Sequence, residues 1–126
     1  MSFESVQLKT KYDYLAPDKS EIYLLAEGSK GNLCQCILPV GATSLPVAHK
    51  TVEELWFFLE GRGEVYREGI NNDEPTPVSP GTSLVIPTGK AFQFRNTGDV
   101  PLRFMIVTMP PWPGETEAIT DVKGKW

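Results

Sequence analysis

The sequence predicts a single all-β domain. Its 126 residues include 11 glycines and 11 prolines, which separate short apolar runs instead of clustering in a tail. Several runs, above all ELWFFLEG at 54–61, carry the aromatic and aliphatic residues typical of strands. The only helical signal is a possible turn at 115–119. Eight to ten short strands of this kind close most economically as a small barrel or sandwich with few free edges.

The first half of the chain predicts two hairpins. EIYLLAE at 21–27 and LCQCILPV at 33–40 flank the turn sequence GSKGN, which suits a hairpin connection. ELWFFLE at 54–60 and GEVYRE at 63–68 meet at Gly61 and Gly63 and predict the clearer hairpin, because glycine permits the positive φ angles of tight turns.

The second half predicts one loop and three further strands. INNDEPTPVSPG at 70–81 is polar and proline-rich, so we expect an exposed loop with at most a short edge strand. TSLVIPTG at 82–89 and KAFQFRN at 90–96 resume the strand pattern. The continuous apolar character of LRFMIVTM at 102–109 predicts a final strand buried on both faces.

The chain fits one domain, 1–126, with a core at about 20–110, an N-terminal strand region at 1–19 and a proline-rich tail at 110–126. In the tail we expect partial order at Trp112 and fraying near Trp126.

Charge and composition exclude several classes of function. The net charge of -4 and the lack of a basic run argue against nucleic acid as a partner. No apolar run is long enough to span a bilayer and the N-terminus lacks a signal-peptide pattern, so we expect a soluble, cytoplasmic protein with no membrane partner. Cys34 and Cys36 are predicted to be buried free thiols, because two strand residues this close do not suit a disulfide.

Two segments show regular spacing of glycine, proline and potential ligands. The first spans 41–61 and contains the only histidine; the second spans 81–96. Their positions resemble the two cupin motifs without a gap. The first motif falls on Gly41, Val47, His49, Glu54 and Gly61, and the second on Gly81, Pro87, Gly89, Phe92 and Asn96. The resemblance implies the cupin double-stranded β-helix, a jelly-roll barrel.

The resemblance also implies where a metal would bind. Metal-dependent cupins hold one divalent ion with three histidines and a glutamate, and here two of the histidine places are Val47 and Phe92. His49 and Glu54 remain as an incomplete metal set for Zn, Fe, Mn or Ni. Candidates for a third ligand are Gln93, which strand alternation directs away from Phe92, or a cysteine of the Cys34 strand.

We therefore expect a small-molecule-binding cupin with an eroded metal site, whose ligand is anionic or aromatic. Glu54, Trp56 and Phe58 are predicted to face the barrel interior on one strand, with Phe92 and Phe94 on another. The candidate ligand-binding residues are Val47, His49, Glu54, Trp56, Phe92 and Phe94.

Three alternatives remain open. A metal-dependent dioxygenase or isomerase would use His49, Glu54 and an unrecognised ligand. A metal-free acid–base enzyme would use His49 oriented by Glu54, with Tyr66 as the nearest tyrosine in sequence. In a purely structural version, His49 is buried, hydrogen-bonded to Glu54, and no cavity exists.

The same strand predicts a partner surface. Leu55, Phe57 and Leu59 alternate with the inward residues and would form an apolar outer face. We expect a homodimer, since cupins like this one commonly pair by strand exchange or sheet packing; cover by the chain's own N-terminal strands is the alternative.

Overall fold

The computed structural model of the protein describes residues 3–126. It is built almost entirely from strands. Eleven strands follow in chain order: β1 Tyr14–Leu15, β2 Glu21–Glu27, β3 Asn32–Leu38, β4 Ala48–His49, β5 Glu53–Glu60, β6 Gly63–Arg67, β7 Thr76–Val78, β8 Ser83–Ile86, β9 Phe92–Asn96, β10 Leu102–Met109 and β11 Ala118–Ile119. Two single turns of 3-10 helix lie at Asn71–Asp73 and Glu115–Glu117.

The strands form two main layers and one short ribbon. A six-stranded sheet has the order β1-β2-β3-β10-β5-β8, and a three-stranded sheet has the order β7-β6-β9. The ribbon pairs β11 with β4. All these pairings are antiparallel. The apolar core lies between the two main sheets, and Phe58, Phe94 and Phe104 are fully buried there.

Two sequence predictions about pairing have different outcomes. The hairpin of β2 with β3 is confirmed. The hairpin of β5 with β6 is wrong, because β5 pairs with β8 and β10 while β6 pairs with β7 and β9. The chain therefore passes from one sheet to the other at residues 61–63. Gly61 has a φ of 87°, and a Cβ there would lie 2.6 Å from the Pro101 carbonyl oxygen, so the tight connection requires glycine.

Strand β10 is buried on one face only, which corrects the prediction of burial on both. Leu102, Phe104 and Ile106 are buried, while the residues between them are half-buried. β10 is central in the large sheet, between β3 and β5, but the outer face of that sheet has no second layer over it among residues 3–126. Its apolar outer residues give the sequence its continuous appearance.

The proline-rich loop behaves as predicted. Residues 70–75 are mainly exposed and include the first 3-10 turn, and β7 is a three-residue edge strand beside β6. A turn was also expected at 115–119, and the second 3-10 turn lies at Glu115–Glu117.

The N-terminal region is less regular than predicted. Met1 and Ser2 lie outside the described residues, residues 3–12 are exposed and in no strand, and only β1 pairs with β2.

The C-terminal tail is held against the body of the domain. The Trp112 amide donates to Asn32 Oδ1 at 2.7 Å. The amides of Lys125 and Trp126 both donate to Gln93 Oε1 at 2.9 Å, and the Arg95 guanidinium lies 4.3 Å from the centre of a Trp126 ring. The expected fraying near Trp126 is therefore wrong, because a buried glutamine side chain supplies the acceptor that this backbone needs.

Within residues 3–126, the structure contains no helix of sufficient length and apolarity to cross a membrane.

Candidate functional site

A cavity of about 300 Å³ opens between the sheets, and all six candidate ligand-binding residues line it. Val47 and His49 reach it from the β4 segment, Glu54 and Trp56 from β5, and Phe92 and Phe94 from β9. These positions are far apart in sequence and meet because alternate residues of each strand face inward. The structure thus brings the predicted residues together, and their role in binding stays a prediction.

Aromatic rings form the floor of the cavity. Trp56 lies at the centre, 5.6 Å from Phe92, 5.1 Å from Phe94 and 4.6 Å from Phe104 between ring centroids. The first two contacts are edge-to-face, an arrangement that aromatic pairs favour over a face-to-face sandwich. The floor is consequently apolar, and its rings are packed against one another.

His49 is held by packing instead of by hydrogen bonds. Its ring lies edge-to-face between Phe92 at 5.1 Å and Trp112 at 5.2 Å. Within residues 3–126, its buried Nδ1 atom has no hydrogen-bond partner. Burial lowers the pKa of His49 from 6.5 to about 4, against a smaller opposing effect of Glu117. The imidazole is therefore neutral at physiological pH.

Glu54 makes two hydrogen bonds, neither of them to His49. The Trp56 indole Nε1 donates to Glu54 Oε1 at 3.0 Å, and the Thr108 hydroxyl donates to Oε2 at 2.7 Å. Burial nevertheless raises the pKa of Glu54 to about 7. The bond between His49 and Glu54 expected in the structural alternative is absent, and the Glu54 carboxyl group bonds to Trp56 and Thr108 instead. The cavity itself also contradicts that alternative.

A second acid faces the cavity that sequence reasoning missed. Asp18 is buried in the loop between β1 and β2, where its Oδ1 accepts from the amide and the hydroxyl of Ser20. Burial raises its pKa, and its charge also contributes to the raised pKa of Glu54. The turn sequence APDKS gave no signal for this role, since Asp before Ser is ordinary turn chemistry.

Residues from the segments before β2 and after β10 complete the cavity wall. Tyr14 of β1 lines one side, while Trp112 and Ala118 of the tail line another. The tail is anchored beside the cavity by Glu117, whose carboxylate accepts from the Thr51 amide at 2.6 Å, the Thr51 hydroxyl at 2.6 Å and the Val52 amide at 2.9 Å. The sequence signal for Trp112 was its place among three prolines; Glu117 gave none.

Tyr66 is not a member of this wall. It lies on β6 opposite Gln93, and strand alternation directs it away from its neighbour Val65, which is fully buried in the core. The acid–base alternative therefore loses its tyrosine partner at position 66. Tyr14 is the tyrosine that lines the cavity.

The donor set does not fit a metal centre with three protein ligands. Val47 and Phe92, at the places of two histidines, are buried and backbone-paired to each other, and neither has a lone pair to offer. Gln93 turns away and binds the Ser44 carbonyl and the tail. Across residues 3–126, no group of three or more His, Cys, Asp or Glu side chains is placed to hold an ion.

The cysteines lie at the cavity as free, buried thiols, as predicted. Burial raises the pKa of Cys34 to about 12 and that of Cys36 well above its usual value. Both are therefore protonated at neutral pH and behave as small apolar residues.

A two-sheet antiparallel jelly roll with an inward-facing cavity defines the class of protein. Residues 35–108 match the family described as Cupin domain, which is more than half of the chain. The chain belongs to the cupin family, and its fold is the double-stranded β-helix predicted from the two motifs.

Relatives agree with this assignment. The chain is 32% identical over 123 residues to an uncharacterized protein of Methanocaldococcus jannaschii, covering 90% of this chain and 95% of that one. A crystal structure of a Bacillus halodurans protein has a TM-score of 0.67 at 23% identity, covering 79% of this chain and 76% of the other. A predicted oxalate decarboxylase of Thermotoga maritima has a TM-score of 0.65 at 19% identity, covering 87% and 99%. The two structural similarities establish the fold alone.

Proposed function

We propose that this cupin domain binds a small organic molecule directly through the side chains of its cavity, without a metal ion. The observation that carries the proposal is the cavity of about 300 Å³ in which an aromatic floor adjoins the unpartnered His49 imidazole. Apolar walls with a few convergent polar groups are the usual composition of small-molecule sites.

The buried Nδ1 atom of His49, which has no hydrogen-bond partner among residues 3–126, supports the proposal. A buried imidazole without a hydrogen bond costs free energy unless a ligand or water satisfies it. Glu54 bonds to Trp56 and Thr108 and not to His49, so the neighbouring acid does not satisfy the imidazole in this structure. A ligand with a polar group beside Nδ1 would supply the missing hydrogen-bond partner.

A matched pair of variants on β11 tests cavity binding. Ala118 lines the cavity, whereas the next residue, Ile119, is not among its lining residues and faces the other way. Ala118→Trp should fill part of the cavity and abolish the binding of small aromatic amines and alcohols, monitored by two-dimensional NMR. Ile119→Trp should leave binding unchanged. Equal binding in both variants, or no perturbation of cavity residues in the wild type, would overturn the proposal.

A metal-dependent cupin enzyme of dioxygenase or isomerase type is the second candidate. The observation favouring it is that the Cys34 thiol lines the same cavity as His49 and Glu54. It requires the Cys34 thiol to lose its proton and the strands to move until three ligands converge. Such an enzyme would retain Zn, Fe, Mn or Ni through purification and lose it in both His49→Ala and Cys34→Ala.

We also propose that the chain forms a homodimer through the outer face of its large sheet. Leu55, Phe57 and Leu59 point outward and are 37 to 46% exposed, next to Val85 of β8, which is 38% exposed. An apolar sheet face of this kind favours a second copy of the chain. Light scattering should give twice the 14.0 kDa of one chain, and Phe57→Glu should give one chain with an unchanged circular dichroism spectrum. A wild-type monomer would overturn the proposal.

A further inference from the structure

We infer that the ligand of the cavity is a small organic cation with an N–H donor, that is, a primary or secondary ammonium. The inference rests on the proposed function, because it names the chemical class of the molecule bound there.

Acidic side chains line the cavity wall. Three acids, Asp18, Glu27 and Glu54, line the cavity; Glu27 is exposed, whereas Asp18 and Glu54 are both more than nine-tenths buried. Neither lysine nor arginine is among the lining residues. Burial without an opposite charge favours the protonated forms of these two carboxyl groups, and a cation between them would stabilise their ionised forms. An anion would find no opposite charge in this wall, so we favour a cation over the anionic ligand expected from the sequence.

Polar atoms of the cavity wall retain free hydrogen-bonding capacity. The His49 Nδ1 atom has no hydrogen-bond partner among residues 3–126. Asp18 uses Oδ1 for both of its bonds from Ser20, and Oδ2 receives none from the described residues. Each Glu54 oxygen accepts one bond, although a carboxylate offers about four lone-pair sites in total. The cavity is thus rich in acceptors, which an ammonium with its N–H donors complements.

Aromatic side chains form much of the cavity wall. Trp56, Phe92, Phe94, Trp112 and Tyr14 all line the space that the two buried acids share. Aromatic faces attract ammonium groups through their quadrupole, most strongly when water is excluded. The same rings bury the hydrocarbon part of the ligand. A cationic amine therefore matches both the polar and the apolar parts of the wall.

Charge-matched probes test the inference. Benzylamine, benzyl alcohol and benzoate share one shape and differ in charge, and cyclohexylmethylamine, cyclohexylmethanol and cyclohexanecarboxylate form a second, non-aromatic series. Dissociation constants are measured by NMR titration at pH 7.5, where both amines are protonated. We expect each amine to bind about tenfold more tightly than its alcohol, which corresponds to about 1.4 kcal/mol, and each carboxylate to bind more weakly still. Benzyltrimethylammonium, which has no N–H group, should bind more weakly than benzylamine.

Two matched variants assign the preference to the cavity acids. Glu54→Gln keeps the shape and should reduce amine binding about fivefold or more, and it should reduce alcohol binding less. Glu53→Gln removes the same charge from the neighbouring exposed residue and should change neither. Asp18→Asn gives an independent second acid variant, so the result does not depend on the folding of one mutant.

The outcomes separate the two proposals. If no probe of any charge binds to the wild type, the proposed function fails together with the inference. If alcohols or carboxylates bind as tightly as amines, only the inference fails. If amine preference survives unchanged in both Glu54→Gln and Asp18→Asn, the cation is not recognised by these acids and the inference is overturned. Equal binding of benzyltrimethylammonium would overturn the N–H requirement.

Discussion

The two ionisable groups at the centre of the cavity should give the stability of this protein an unusual pH dependence. Glu54 and His49 are each about 95% buried, and burial shifts their pKa values in opposite directions. Substituting each one with glutamine removes its titration while keeping a similar size. In Glu54→Gln, the amide oxygen can still accept from Trp56, and the amide nitrogen can donate to the Thr108 hydroxyl.

The raised pKa of Glu54 in the folded state fixes how this residue makes stability change with pH. Between 4.5, its ordinary value, and about 7, the folded state holds a proton that the unfolded state has lost. Stability therefore falls as pH rises through this range. The difference corresponds to about 3 kcal/mol, since one pKa unit is worth about 1.4 kcal/mol. The free energy of unfolding of the wild type, minus that of Glu54→Gln, should decrease by about this amount from pH 4.5 to 7.

His49 makes stability change with pH in the opposite direction, because its pKa is lowered in the folded state. Between about 4 and 6.5, the unfolded state binds a proton that the folded state excludes, so stability rises with pH. The wild type minus His49→Gln should increase by about 3 kcal/mol over this range. Between pH 4.5 and 6.5 the two slopes oppose each other, so their sum changes little in the wild type and each variant reveals one of them.

Urea unfolding followed by tryptophan fluorescence at closely spaced pH values, at one protein concentration, measures all three curves. Two difference curves of opposite slope are expected. If both stay level within about 0.5 kcal/mol from pH 4.5 to 7, Glu54 and His49 titrate as solvated groups and the description of the cavity as a desolvated site is wrong.

Three further predictions concern the frame around the cavity. Glu117→Ala removes the acceptor of three hydrogen bonds from Thr51 and Val52 and should lower the free energy of unfolding by about 3 kcal/mol. The control Glu115→Ala, at an exposed position, should change it little. Equal melting temperatures of the two variants would contradict this prediction. Gly61→Ala should cost about 3 kcal/mol because its Cβ would meet the Pro101 carbonyl, against about 1 kcal/mol for Gly41→Ala, which shares a positive φ but has open space; a similar loss in both would refute the steric reason. Both cysteines should resist a thiol reagent at pH 8 in the native protein and react in urea, and rapid native reaction would show that their thiols are not desolvated.

The residues of the two motifs were predictable from sequence because the motif spacing fixes both the turns and the inward faces. Gly41, Gly61, Gly81 and Gly89 all have positive φ angles, so the pattern reports the backbone directly. Strand alternation then places Trp56 and Phe92 inward without further information.

Strand partners were less predictable, because pairing is set by the whole fold instead of the local turn. ELWFFLEGRGEVYRE has the composition of a hairpin, yet its two halves enter different sheets. Composition reports that a chain reverses near Gly61 and Gly63, and it does not report which neighbour each strand meets.

The missed part of the site comes from outside the motifs. Asp18, Trp112 and Ala118 reach the cavity from the segments before and after the central strands, over long sequence separations. No local periodicity marks such contacts. The class of ligand that we infer depends on Asp18 and was therefore beyond sequence reasoning.

The central claim is that this cupin cavity binds its ligand without a metal ion. Elemental analysis of tag-free protein by plasma mass spectrometry, before and after dialysis against a chelator and after reconstitution, tests it most directly, with His49→Ala beside the wild type. We expect far less than one Zn, Fe, Mn or Ni ion per chain in every sample. Near-stoichiometric metal in the wild type that disappears in His49→Ala would contradict the account and establish a metal centre with substitute ligands.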